Sequence, residues 1–319
     1  VSTLDAIDIL TIGESMGLVV AEPGPLEFAG SARLGFGGSE SNVAIVASRL
    51  GRSAHWVSRL GDDAFGRLIE RTLRAERVGL TVTRDPSRPT GLMVKERRSR
   101  SLQRVSYYRS MSAATQLVHD DIDEALLARA RVLHLTGITP ALSINARSAV
   151  STLIDRARAM GVLVSFDINY RSALWSRADA SRFLEDAMPR CDIVFGGLDE
   201  FALLDASIAT PDSAIASAKA RGVPEVIVKL GDRGAVGERN GQRAEVAATP
   251  VDVVDTVGAG DAFVGGYLAV RLDGLPLDEC LGLAGIVGAA ACTVTGDWEG
   301  APRRDELADL FGGGDTVAR

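Results

Sequence analysis

The sequence predicts an α/β fold: a mainly parallel central sheet with helices on both faces, plus a small β-sheet lid. Three observations carry that expectation. From Val132 to Leu230, short apolar runs alternate with helical stretches at regular spacing, as strands joined by helical crossovers do. Two segments, about 15–37 and 91–110, break this rhythm with short β-like pieces. They are too small to be independent domains and read as pairing into a lid, discontinuous in sequence, over a single unit spanning 1–319. Finally, Pro250–Leu272 reads as an apolar strand (Val251, Val253, Val254) that turns through Gly258-Ala259-Gly260 into a helix.

In order along the chain, Ile7–Ile12 is a buried opening strand closed by Gly13-Glu14. The stretch 15–37 is broken by Pro23-Gly24-Pro25, Gly30, Gly35 and Gly37, so it is β-rich and not helical. A helix over Ser41–Leu50 ends at Gly51, Ala54–Leu60 is a strand, and a helix covers about Ala64–Arg77. Leu92–Val94 and Val105–Tyr108 are two lid strands, with the basic run Lys95–Arg104 as a solvated hairpin tip. Strands at 132–135, 162–166, 193–195 and 226–230 then alternate with helices at 141–160, 178–188, 198–204 and 211–221. A small-residue helix at 281–295 closes the pattern.

Composition excludes several classes. The 319 residues are 46% hydrophobic with no apolar run near the ~20 residues of a membrane helix. A net charge of −7 argues against nucleic acid as the main partner. The opening VSTLDAIDILTIG lacks the basic region and long apolar stretch of a signal peptide, and Cys191, Cys280 and Cys292 show neither metal spacing nor a disulfide framework. Both fit a reducing cytoplasm. His55, His119 and His134 are too scattered for a triad or a zinc site.

The glycine turn at 258–260 carries the chemistry. Free N–H groups at a helix start, together with the helix dipole, suit an anion such as a phosphate. A carboxylate in that same turn, Asp261, makes sense if it must take a proton beside a phosphate in transfer. The dinucleotide fingerprint is excluded because Phe263 stands where its third glycine belongs, and no Gly-Lys pair exists to form the lysine phosphate loop. Other polar groups fall at strand ends: Asp167–Arg171, Lys229–Gly234 and Gly37–Asn42, where Asn42 is placed to bond a hydroxylated ligand. In the lid, Tyr107 and Arg109 share a face because the strand period is two. With Arg171, Arg109 offers two guanidinium forks suited to a carboxylate or a phosphate.

GGSESN at 37–42, GDDAFG at 61–66, K-x-G-x-x-G at 229–234 and DTVGAGDAF at 255–263 resemble, in order, the ribokinase-like (PfkB) sugar kinases. PGPLEF at 23–28, SYYRSMSA at 106–113, LTGIT at 135–139 and FDINYRSALW at 166–175 are most similar to the 2-keto-3-deoxygluconate kinases within that family. The resemblance covers nearly the whole chain. It implies a kinase that binds ATP with Mg2+, uses Asp261 as the base, and holds the transferring group at Gly258, Ala259 and Gly260. Asn169, Lys229, Gly231, Gly234 and Ile286 then fall on the nucleotide side. Gly38, Met93, Tyr107, Arg109, Arg171 and Asp297 fall on the substrate side. It also implies a magnesium contact through water at Glu200, a possible monovalent-cation requirement around Asp255, and a homo-oligomer, a dimer through the lid or larger.

Two positions depart from the family pattern. The Asn of an N-x-x-E motif is Gly197 here, and a lid tyrosine of the keto-deoxy-acid kinases is Met93, which removes a hydroxyl contact. The function expected is phosphorylation of the terminal hydroxyl of a sugar acid, with 2-keto-3-deoxygluconate giving its 6-phosphate. The alternatives are a kinase of a neutral sugar such as fructose or of a nucleoside, and a non-catalytic sugar- or nucleotide-sensing protein on the same fold.

Overall fold

The computed structural model describes residues 6–97 and 103–307. The strands are β1 (Ile7–Ile12), β2 (Met16–Ala21), β3 (Ala32–Gly37), β4 (Ala54–Gly61), β5 (Gly79–Asp85), β6 (Leu92–Arg97), β7 (Gln103–Tyr108), β8 (Ala130–Thr136), β9 (Leu163–Asp167), β10 (Ile193–Gly197), β11 (Glu225–Lys229), β12 (Ala235–Arg239) and β13 (Gln242–Val246). The α-helices are α1 (Ser39–Arg49), α2 (Ala64–Ala75), α3 (Glu124–Ala128), α4 (Thr139–Leu142), α5 (Ile144–Ala159), α6 (Arg177–Ala187), α7 (Leu198–Phe201), α8 (Pro211–Ala220), α9 (Ala259–Arg271) and α10 (Leu277–Ala291).

Nine strands form one sheet in the order β13-β12-β11-β10-β9-β8-β1-β4-β5. From β11 to β5 all neighbours are parallel, and β12 and β13 add an antiparallel edge. Buried apolar residues of α5, α6 and α8 cover one face, and those of α1, α2, α9 and α10 cover the other. The strand order reverses about β1, whose neighbours are β8 and β4, and ligands of such sheets sit beyond the strand C-termini at that reversal. A second sheet, β3-β2-β6-β7, lies apart from the first and corresponds to the expected lid.

The structure corrects several sequence expectations. Residues 251–254 do not form a strand. They have no sheet neighbour, Val253 and Val254 are exposed, and the Val254 and Asp255 N–H groups donate instead to the Cys292 carbonyl. The basic hairpin tip is shorter than expected. Lys95 lies within β6 and is buried, with its side chain turned inward, while 98–102 lie outside the described residues. Strands β5, β12 and β13 were not anticipated. Arg109 follows β7 instead of lying in it.

One close approach sets the geometry of everything that follows. A Cβ added to Gly265 of α9 would lie 2.8 Å from the Val46 Cβ of α1, so glycine lets the two helices nearly touch. Asp261 stands four residues before Gly265, and Asn42 four residues before Val46. Residues four apart share a helix face, so the same packing brings Asn42 up against Asp261.

Candidate active site

Segments just past the C-terminal ends of β8 and β9, the start of α1 and the start of α9 surround a cavity of about 800 Å³ roofed by the lid. Gly38, Ser39, Asn42, Met93, Lys95, Tyr107, Arg109, Tyr170, Arg171, Gly258, Asp261 and Asp297 line it. A second cavity, about 570 Å³ and lined largely by apolar groups, lies on the other side of the same turn. Its wall includes Lys229, Gly231, Gly234, Val251, Val253, Ala259, Gly260 and Phe263. The helix start is thus a divider, with Gly258 and Asp261 facing one chamber and Ala259 and Gly260 facing the other.

Glycine is required at 258 for two reasons. Its φ of 77° is left-handed, and a Cβ there would lie 1.7 Å from the Asp297 carbonyl oxygen. The turn is therefore fitted directly against the Asp297 backbone. Gly234 is similar, with φ of 95° and a Cβ that would meet the Val246 carbonyl at 2.0 Å.

Asp261 is held from two directions. Ser39 Oγ donates to its Oδ1 at 2.6 Å, and Asn42 Nδ2 donates to its Oδ2 at 2.8 Å. Asn169, left-handed at φ 37°, donates to Ser39 Oγ at 2.8 Å and reaches Asp261 Oδ1 at 3.5 Å. Asn42 and Asn169, expected to meet ligands, are both brought onto the carboxylate, and Asn42 also lines the chamber. Sequence reasoning passed over Ser39. The signal available was its place beside Gly38 at a helix entry, where a serine readily turns its hydroxyl toward a neighbouring element.

On the second-cavity side, Lys229 Nζ bonds both Asp167 oxygens at 2.7 Å, and a Cβ on Gly260 would come within 3.7 Å of that ammonium. Burial pulls the Lys229 pKa down, but Asp167, Glu200 and Asp261 together more than reverse this and leave it raised. A fixed positive charge therefore stands beside the anion-binding turn. Gly285, Gly288, Ala289 and Cys292, spaced i, i+3, i+4 and i+7, turn a small-residue face of α10 and its end to this cavity. Ile286, expected on the nucleotide side, is not among the residues that line this cavity. Glu200 accepts from Tyr170 N–H at 2.8 Å through one oxygen and from Gly197 N–H at 2.7 Å through the other. It caps its own helix and pins the Tyr170 loop.

Arg109 donates through Nε to Glu14 at 2.7 Å, pairs with it again through one Nη, and lies 6.0 Å over the Tyr107 ring. Arg171 lines the same chamber, is exposed, and makes no ion pair among the described residues. Met93 is buried in the wall, and Asp297, also buried, has its carboxyl pushed up to about 7 by burial, with Lys95 opposing and Asp261 adding to the rise. Glu40, next to Ser39, is buried and pushed up to about 7 by burial. Its Oε1 accepts from Thr136 and Thr139 at 2.7 and 2.6 Å, while Oε2 has no partner.

A strand-end chamber, a separate slot for a second ligand, and between them an anion-binding helix start carrying a carboxylate form the arrangement of a phosphoryl transferase. The pfkB family carbohydrate kinase model matches residues 6–304. The chain belongs to that family. It is 34% identical over 316 residues to 2-dehydro-3-deoxygluconokinase of Bacillus subtilis (strain 168), covering 98% of this chain and 97% of that protein. It is 33% identical over 312 residues to 2-dehydro-3-deoxygalactonokinase of Haloferax volcanii, covering 97% and 98%. The crystal structure of an E. coli protein described as ribokinase II, in complex with ATP and Mg2+, superposes with a TM-score of 0.88 at 28% identity, covering 95% of this chain and 98% of that one. The fold is that of the ribokinase-like sugar kinases, and the chain is an ATP-dependent carbohydrate kinase.

Glu40 has a consequence for stability. Its folded-state pKa of about 7 lies above the ordinary 4.5, so between those values the folded chain holds a proton that the unfolded chain has lost. Its contribution to stability falls as pH rises from about 4.5 to about 7, and does not return above that. Urea unfolding of Glu40→Gln between pH 5 and pH 7 should show a shallower decline than the parent chain; parallel slopes would remove Glu40 as a source of the pH dependence.

Proposed function

We propose that this kinase phosphorylates the terminal primary hydroxyl of a small sugar acid, foremost 2-keto-3-deoxygluconate, to give the 6-phosphate. The observation that carries the reading is the exposed guanidinium of Arg171, without an ion pair among the described residues, in the chamber that holds Asp261. A neutral sugar gives such a charge no partner, whereas a carboxylate matches its planar fork. Arg109 adds its remaining N–H groups beside Tyr107, although Glu14 offsets part of its charge. The sugar-acid kinases among the relatives support the same class.

In this reading the acceptor lies in the first chamber and ATP in the second, with the γ-phosphoryl group over Gly258–Gly260. Asp261 aligns the hydroxyl and takes its proton, displacing a donor from Ser39 or Asn42. The helix-start N–H groups and Lys229 stabilise charge on the transferring group, which is where a loose transition state needs help. Gly231 and Gly234 shape the slot on the nucleotide side, and Gly38 lets the acceptor approach the start of α1.

No cluster of three His, Cys, Asp or Glu able to hold a metal is found among the described residues. That fits magnesium carried on the nucleotide phosphates, since it keeps most of its waters and takes few protein ligands. When bound it would neutralise phosphate charge, with Glu200 on the water shell. We assign no role to a free monovalent cation beside Asp255, because the groups around that carboxylate are donors. No described helix is long and apolar enough to cross a membrane. The free thiols of Cys191, Cys280 and Cys292 support a cytoplasmic setting. Exposed Leu34 and Tyr108 on the lid support self-association there. A neutral ketose is the second reading, favoured by buried Met93, whose thioether offers no hydroxyl contact to the acceptor.

Asp261→Asn should lower kcat by roughly 10²–10⁴ with ATP affinity little changed, the usual range for loss of a general base. A near-normal rate would take Asp261 out of the mechanism. Arg171→Ala leaves no buried partner behind, so it tests the carboxylate cleanly. It should reduce kcat/KM for the keto acid by about 10- to 150-fold, the equivalent of ~1.5–3 kcal/mol, and for fructose far less. Equal losses on both would count against an acid substrate.

A further inference from the structure

The loop that leads into the anion-binding turn is anchored by a charge from the lid. Lys95 of β6 extends its ammonium to Asp255 Oδ2, and both side chains are almost fully buried, at 4% and 1% exposure. The two residues are 160 positions apart, one in each sheet's territory. Asp255 stands three residues before Gly258. The rest of its carboxylate is also occupied, with Val257 N–H at 3.3 Å on Oδ1 and Gly296 N–H at 3.4 Å on Oδ2.

A monovalent cation needs several oxygen ligands directed at one point. Here an ammonium and two N–H groups are directed at the carboxylate instead, so the donor set is that of an anion satisfied by donors. A free cation does not fit beside it. We propose that Lys95 is a positioning residue which supplies this loop, from the lid, with the positive charge a free monovalent cation would otherwise provide. Phosphoryl transfer then depends on the lid being in place and is indifferent to potassium or ammonium ions.

The physical argument is about register. The Asp255 backbone is tied to the end of α10 through Cys292, and the Gly258 turn is fitted against the Asp297 backbone. Both tethers come from the 291–297 segment, and the Gly296 N–H also reaches Asp255 Oδ2. Removing the ammonium leaves a buried carboxylate that must take up water or move, and the turn moves with it. A misplacement of about 1 Å at a reacting centre costs on the order of 10²-fold in rate. Lys95 also lines the acceptor chamber between Met93 and Asp297, and its charge opposes the upward push on the Asp297 carboxyl. Placing the acceptor and aligning the anion turn therefore share one side chain.

The proposal rests on the kinase assignment and not on which sugar acid is accepted, so any acceptor the parent enzyme turns over serves. In the parent enzyme, replacing potassium chloride by tetramethylammonium chloride at constant ionic strength should change kcat by less than about twofold. Lys95→Ala should lose kcat by about 10²-fold with KM for ATP within about twofold, and added ethylammonium should restore at least tenfold of it. If that variant does not fold, Lys95→Met with Asp255→Asn buries no charge. It should fold, turn over slowly, and gain nothing from potassium or ethylammonium. Potassium activation of the parent, a Lys95→Ala rate that is normal or unmoved by ethylammonium, or a double variant at the parental rate would each overturn the proposal. Absence of turnover by the parent on every acceptor would instead strike the functional reading.

Discussion

The site depends on one steric fact: the chain must turn left-handed at Gly258 with no side chain, hard against the Asp297 carbonyl. That turn ends the loop from Asp255, starts α9 and faces the acceptor chamber, while Ala259 and Gly260 just after it face the nucleotide slot. A helix needs unsatisfied N–H groups at its start in any case. Here they are placed where a phosphoryl group could use them, one residue from the carboxylate we propose as the base. The nearness of α9 to α1 at Gly265 and Val46 then lets Ser39 and Asn42 fix the direction of that carboxylate.

Three buried or half-buried ion pairs lie around the two cavities, each joining distant parts of the chain. Lys229–Asp167 sits on the nucleotide side, Arg109–Glu14 on the acceptor side, and Lys95–Asp255 beneath the loop. Such pairs contribute little net stability, because desolvation offsets their attraction, but breaking one leaves an uncompensated charge. They are better understood as setting geometry. Two of the three reach from the lid side of the cleft into the core. The lid is therefore attached to the chemistry by charge as well as by its backbone.

Much of this was legible in the sequence, because the features concerned are local. The parallel strands alternate with helices and carry periodic apolar runs. The glycine turn and Asp261 form a contiguous motif, and Tyr107 and Arg109 do line one chamber, although Arg109 lies just past the end of β7. What escaped depends on contacts between distant segments. The apolar run Val251–Val254 has the composition of a strand, but the N–H groups at its end are taken by the Cys292 carbonyl instead of a strand partner. Lys95 reads as one more charge in a basic run until Asp255 is seen opposite it. Strand β13 is polar because it is the exposed edge, and β12 has only the short apolar start Ala235-Val236, so neither carries the long apolar signal of the buried strands. Ile286 and the true lining residues of α10 differ only by rotation about the helix axis, which spacing alone does not orient.

The account centres on a phosphate-binding turn between an ATP slot and a chamber built for an acid. The most direct test is the parent enzyme's kcat/KM, measured by ADP release, on 2-keto-3-deoxygluconate and on fructose under the same conditions. The account predicts that the sugar acid is preferred by about 10²-fold or more, from the loss of a charged contact in the neutral sugar together with its unpaired guanidinium. Equal values, or a preference for fructose, would contradict it.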